Sequence, residues 1–264
     1  NPVEYEHLSL TKQGNNAWIR LSRPSVANAL SREHLAEIEH VSLSMRDEPD
    51  IRVVIFHGAG KHFSGGADLN EQPLAEPVPM VQKRRSARMG ERAIEAILGI
   101  DQITIAAWHG AAMGGGACIT TACDFRIGTP SAVMQYPEIN LGINLMWKSL
   151  PLIIALVGPA RAKRLVAGGE LLDAQTLLSW GILDELVPED ELLDAARRMA
   201  DLYASKPPIA AQMIKQSTNQ LAYAMGSAIM HMDVDQNLLT VASDDRAAAI
   251  QAYQHKTQGT YNGD

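Results

Sequence analysis

Cysteine is nearly absent: the 264 residues hold only Cys118 and Cys123. The pair lies on or just past one predicted helix at a spacing that puts the thiols on different faces, so no disulfide is expected. A chain without a cysteine framework suits a reducing compartment, and the cytoplasm is the expected setting. No run approaches the ~18 apolar residues of a membrane span, and the opening NPVEYEHLSL has no basic-then-apolar signal pattern. Positive charge is also scarce. A formal charge of −7 and a pI of about 5.6 exclude a general attraction to nucleic acid or anionic membrane. The densest basic run, Lys83, Arg84, Arg85, Arg88 and Arg92, reads as a solvated helix face, with a rim that attracts an anionic ligand as the sharper alternative. Missing too are the phosphate loop GxxxxGK[ST], the hydrolase elbow GxSxG and any HExxH or similar histidine spacing. Several common enzyme classes fall away with them, and no metal or redox cofactor is implied.

What remains is an ordinary globular composition, 46% hydrophobic and 20% charged, in a chain long enough to bury a sizeable core. Tyr5 to Leu10 and Ala17 to Leu21 read as strands around the turn Gly14-Asn15-Asn16. Ser31 is placed to cap a helix whose buried face carries Leu35, Ile38, Val41 and Met45. Ile51 to Phe56 and Ile103 to Trp108 read as buried strands. A proline-rich surface loop is expected over 71–79, and one helix from about Met80 to Leu98. Strands alternating with helices predict an α/β core with a largely parallel sheet. From Ser149 onward the pattern is mostly helical, with helices expected near 189–205, 208–222, 225–240 and 243–256. Residues 1–190 therefore read as a core, and 191–264 as a helical C-terminal region whose apolar stripes suit contacts between subunits.

Two glycine-rich segments interrupt this pattern, HFSGGADL at 62–69 and HGAAMGGGACITTACD at 109–124. Each ends a predicted strand. Glycine lets a backbone turn sharply and approach a ligand closely. Gly114-Gly115-Gly116 opens a helix, where free N–H groups and the positive end of the dipole suit a phosphate or a developing oxyanion. Either cluster alone is weak evidence and reads more readily as a tight turn.

Together, GAGKHFSGGADL (58–69) and HGAAMGGGACITTACDFRIGTPSAVMQYPEINLGI (109–143) resemble the enoyl-CoA hydratase/isomerase, or crotonase, family. RPSVANALS (23–31) and LVGPARAKRLVAGGELLDAQTLLSWGILDELVP (156–188) extend the likeness to nearly the whole chain. The resemblance implies a crotonase-like spiral of ββα units with a helical C-terminal region, assembled as a homotrimer or a dimer of trimers. It implies an oxyanion hole made by the N–H groups of Ala67 and Gly115, holding the thioester oxygen of an acyl-CoA substrate. It places Ala27, Ala29, Gly66, Asp68 and Leu69 along coenzyme A and Met113, Gly114 and Trp147 about the reacting group. Tyr253 and Lys256 of the last helix are expected to reach coenzyme A, across a subunit boundary or within one chain.

Hydratases of this family hold a water with two glutamates. The second corresponds to Glu138, but the first falls at Cys118. A thiol, with a reference pKa of ~8.5 against ~4.3 for glutamate, is a poor substitute, so Cys118 reads as packing before catalysis. A single glutamate resembles the family's delta-3,delta-2-enoyl-CoA isomerases, although hydroxycinnamoyl-CoA hydratase-lyases hydrate with a serine at that first position. Met146 and Trp147 stand in NLMWKS, where hydratases carry a glycine-rich stretch, and are expected to narrow the acyl pocket, with Met113 and Met134 as adaptable lining. His109 reads as a turn residue. The expected reaction is isomerisation or hydration of an enoyl-CoA with Glu138 as base and acid. A non-catalytic acyl-CoA binder and an RNA-binding relative are the rivals.

Overall fold

The computed structural model describes residues 4–71 and 78–264; most of the loop expected over 71–79 lies outside them. Strand β1 (Leu8–Gln13) pairs antiparallel with β2 (Asn16–Leu21). Strands β3 (Val53–Gly58) and β4 (Ile103–Trp108) then add in parallel. The first strand runs three residues later than the sequence suggests, because it takes its register from β2 across the Gly14 turn, where φ is +58°. Successive side chains point to opposite faces of the sheet, and both faces are buried, so β3 and β4 are near-continuous apolar runs. Trp18, Val53, Ile55, Ile105 and Ala107 face one side of the sheet, while Ala17, Ile19, Val54, Phe56 and Ala106 face the main core on the other.

Strands β2, β3 and β4 each hand the chain to a second, shorter layer. After β2, Leu30 bridges to Ala67, and after β3, Ser64 bridges to Ala112. After β4 comes β5 (Ala111–Met113). After β6 (Phe125–Gly128) comes β7 (Val133–Gln135), which pairs with β5. The short layer is completed by β8 (Leu172–Asp173), and the large sheet by β9 (Glu185–Leu186), in the order β1-β2-β3-β4-β6-β9. The fold is thus a stack of ββα turns. Its second layer lines up residues 64–67, 111–113 and 133–135 from segments far apart in sequence.

The helices lie around this stack. Helix α1 (Arg32–Ser44) starts at Ser31, whose hydroxyl accepts the His34 N–H at 3.2 Å, and buries Leu35, Ile38 and Val41 as its spacing predicts. The single helix expected over Met80 to Leu98 is two, α2 (Met80–Ala87) and α3 (Met89–Leu98), parted at Arg88, where ψ is −2°. Helix α4 (Gly115–Ala122) follows the glycine cluster. Beyond it run α5 (Leu150–Val166), α6 (Ala174–Ser179) and α7 (Leu192–Ala204). Helix α7 covers the second sheet face with Leu192, Ala195, Ala196 and Ala200. Helix α8 (Pro208–Ile229) runs unbroken through the interruption expected near 222–225 and packs Gly226 on Pro151. Its one buried residue is Lys215, whose ammonium donates to Asp124 at 2.8 Å and to the Gln102 carbonyl at 2.7 Å, tying the helical region to the core. Helices α9 (Asp233–Val241) and α10 (Asp244–His255) fold back toward the short layer. Among the described residues no helix is long and apolar enough to cross a membrane. Both cysteines are free and buried.

Candidate active site

The stacked second layer ends in a cavity of about 290 Å³. Three turns of the spiral contribute to it: Gly65 to Ala67 from one, Met113 to Gly115 from the next, and Glu138 from the third. Gly66 adopts φ +89°, and a Cβ there would fall 2.6 Å from the Met113 carbonyl oxygen and 3.5 Å from the Gly115 nitrogen. Only glycine permits that approach, which brings the Ala67 peptide beside the start of α4. The neighbouring N–H groups are used: Gly66 donates to the Ser64 hydroxyl, Asp68 to Leu30 and Gly114 to Gln135. Among the described residues the N–H groups of Ala67 and Gly115 have no acceptor. Two unused donors at the N-terminus of a helix make a site for an oxygen that gains negative charge.

Glu138 lies in a 3-10 turn, Pro137–Leu141. A Cβ on Gly114 would come 2.7 Å from Glu138 Oε1, so the carboxylate leans directly over that glycine. Its other oxygen, Oε2, is buried and has no hydrogen-bond partner. Burial pushes the Glu138 carboxyl up to about 7, against a smaller lowering by a backbone hydrogen bond. A carboxyl that titrates near neutrality on a cavity-lining residue, with one oxygen unpartnered, can both take up and return a proton.

Cys118 lines the same cavity one turn into α4 and is fully buried. Burial, and then the charge of Glu138, hold its thiol well above the usual range, so it stays protonated. Tyr136, also buried and with an unpartnered hydroxyl, is pushed up for the same first reason.

Trp147 forms one wall, held in a costly backbone conformation. Trp147 and Lys148 both adopt left-handed φ, +65° and +55°, a state that costs ~1–2 kcal/mol for a residue with a Cβ. Lys148 offsets this: its N–H donates to Asp233 at 2.8 Å, and its ammonium reaches the buried Glu91 at 3.0 Å. The indole then lies so close to Gly90 and Gly115 that added Cβ atoms would sit 1.9 and 2.1 Å from the ring. Asp233 is pushed up to about 6 by burial.

The remaining expected residues fall as follows. Leu69 and Tyr253 line the cavity, Tyr253 from α10 of the same chain. Ala27 flanks it: its carbonyl accepts the Gly65 N–H at 2.7 Å. The Ala29 carbonyl is occupied by Arg23 and His34. Asp68 pairs with Arg23 at 3.0 Å and lies on an adjoining cavity. Lys256 caps α10 with φ +53° and is not part of the cavity wall. Met146 lines the cavity beside Trp147, but Met134 is buried in the core away from it. His109 Nε2 bonds the Gly60 carbonyl at 2.8 Å, a turn contact. The basic run is mostly engaged with nearby acids: Arg84 pairs with Asp235, Arg88 with Glu91 and Arg92 with Glu39.

Three contributors had no local signal. Asn28 is fully buried at φ +53°; it accepts from the Arg23 N–H and donates to the Ala59 and His62 carbonyls, which fixes the loop under Gly65. Asn144 and Asn237 reach the cavity from elements joined only in the fold. The tolerance of asparagine for left-handed φ was the one available hint for Asn28.

A family model described as enoyl-CoA hydratase/isomerase matches residues 11–264. A crotonyl-CoA hydratase of Syntrophomonas wolfei is 28% identical over 260 residues, covering 98% of this chain and 99% of its own. The crystal structure of an enoyl-CoA hydratase from Bacillus anthracis is 30% identical, with a TM-score of 0.76 over 98% of this chain and all of its own. That of an enoyl-CoA hydratase from Mycobacterium avium subsp. paratuberculosis superposes with a TM-score of 0.85 over 98% of this chain and all of its own at 22% identity, a likeness of fold.

Proposed function

The chain belongs to the enoyl-CoA hydratase/isomerase family, and from that premise we propose that this acyl-CoA enzyme moves a double bond along an enoyl thioester with one glutamate. The reading rests on a single observation: one carboxylate that titrates near neutrality, with an unpartnered oxygen, faces the cavity beside two unused N–H donors, and a protonated thiol stands where a second carboxylate would be.

In this reading the thioester oxygen of a 3-enoyl-CoA accepts from the Ala67 and Gly115 N–H groups. Glu138 removes a proton from C2. The electron pair delocalises through the thioester, and the oxygen takes negative charge, which both donors stabilise more strongly than the neutral carbonyl. One such donor contributes ~2.7–4 kcal/mol. Glu138 then returns its proton to C4, leaving the double bond between C2 and C3. Nothing is gained or lost overall, and the base is regenerated. The buried, protonated Cys118 thiol is a poor second holder for the water that hydration uses. Ala27, Asp68, Leu69 and Tyr253 are assigned to coenzyme A. The exposed apolar face of α8, with Leu221 83% and Met225 82% exposed, is assigned to contacts between copies in a trimer.

The test is a panel of 2-enoyl, 3-enoyl and cinnamoyl-CoA thioesters in light and heavy water. The reading requires conversion of 3-enoyl to 2-enoyl-CoA with hydrogen exchange at C2, abolished in Glu138→Gln. Hydration that survives Glu138→Gln would overturn it. Sedimentation as a stable monomer at micromolar concentration would overturn the assembly.

A further inference from the structure

The helical C-terminal region brings to the site two polar side chains with nothing to bind. Arg246, in the first turn of α10, lines a second cavity of about 540 Å³ that shares Ala67, Met146 and Trp147 with the first. Its Nε is buried without a hydrogen-bond partner, and no carboxylate among the described residues pairs with its guanidinium. The acids on that wall are engaged elsewhere: Asp68 with Arg23 at 3.0 Å and Glu71 with Arg32 at 3.2 Å. A buried donor on a charged group is costly to leave unpaired. The first turn of a helix is also the unfavourable end of the dipole for a cation. Neither helix stability nor an ion pair among the described residues accounts for an arginine here. Asn237 on α9 adds to the case. It is 4% exposed and lines the first cavity, and its amide nitrogen is buried without an acceptor.

We propose that the acyl group of the substrate ends in a carboxylate remote from the thioester, and that Arg246 holds it after the chain has passed Asn237, Met146 and Trp147. The inference rests on the acyl-CoA reading of the site. Arginine suits the role because its planar fork matches a carboxylate through two parallel hydrogen bonds, which a lysine cannot reproduce. A methyl-ended chain in the same place would leave both side chains without partners.

The experiment is titration calorimetry with pairs of saturated acyl-CoA thioesters of equal length, one ending in a carboxylate and one in a methyl group. Binding is read without any need for turnover. The wild type should favour the carboxylate-ended ligand, and Arg246→Met should cut that preference by about ten- to a hundredfold, with Arg246→Lys recovering part of it. No preference in the wild type overturns the proposal, whatever the variants do. So does an equal loss on both ligands in Arg246→Met, which would assign the guanidinium to the coenzyme A phosphates that the two ligands share. Failure of the wild type to bind any acyl-CoA would instead bring down the acyl-CoA reading, and this inference with it. Exchange at C2 of methyl-ended thioesters without any selectivity would leave that reading standing and remove only this one.

Discussion

Replacing Glu138 with glutamine should abolish turnover and, as pH rises through neutrality, make the protein progressively harder to unfold relative to the wild type. Burial raises the carboxyl from 4.5 to about 7. An acid raised in this way holds its proton more tightly folded than unfolded. The stability it contributes is therefore fully present below pH 4.5 and is lost as pH rises through about 7. At ~1.36 kcal/mol per pH unit, ionising Glu138 in the folded protein costs about 3 kcal/mol. Glutamine has nearly the same shape and never ionises, so it escapes that cost. Its amide nitrogen inherits the unpartnered position of Oε2, but that penalty does not vary with pH. The measurement is thermal unfolding of wild type and Glu138→Gln at one protein concentration, at pH 5 and again at pH 8.5. The variant should gain on the wild type by about 2–3 kcal/mol between the two, while proton exchange at C2 falls by ~10²–10⁴. A stability difference that is the same at both pH values would mean the carboxylate is not desolvated when ionised, and the argument for a near-neutral base would collapse.

Cys118→Ala should change turnover only a few-fold, since the thiol is buried and protonated; rapid alkylation of Cys118 in the native protein at pH 8 would contradict this. Gly90→Ala puts a methyl group 1.9 Å from the Trp147 indole, and the forced shift should cost about 1–3 kcal/mol. Adding Trp147→Ala should recover part of the loss in a double-mutant cycle, and strictly additive losses would deny the contact. Lys215→Met leaves the part-buried Asp124 without its cation, though still bonded by Thr104, and should cost about 1–3 kcal/mol in denaturant titration. Asp124→Asn in the same chain should restore a part of it, and no restoration would show that the pair is not the source of the loss.

What the sequence made legible was local. Short apolar runs placed β2 to β4, Ser31 marked the start of α1, and the glycine cluster marked α4, because each depends on neighbours within a turn or a strand. The site residues were singled out by the family resemblance of whole segments and not by local pattern, and Ala67, Gly115, Cys118 and Glu138 line one cavity. The parting of α2 from α3 carried no such signal. It falls at Arg88, next to the glycine that must admit Trp147, with no proline to mark it. Asn28, Asn237 and Arg246 were illegible for the same reason. Their surroundings are set by how turns of the spiral stack and how α9 and α10 return, not by the residues beside them. Met134 shows the converse: its neighbour Gln135 lines the cavity, but strand alternation turns Met134 into the core.

Trp147 borders both cavities, so its indole is the partition between a small chamber at the reacting carbons and a wider one beyond. The position of that partition is fixed by two absent side chains, at Gly90 and Gly115, and by a lysine clamped between α3 and α9. Reach into the second chamber is therefore not a property that drifts by small steps. A substitution at either glycine collides with the ring, and one that shrinks the ring leaves a hole against two bare backbones. Widening the passage requires a smaller residue at 147 together with new side chains at 90 and 115 to fill the space. In this protein a change of acyl range amounts to a coordinated exchange across three separate segments.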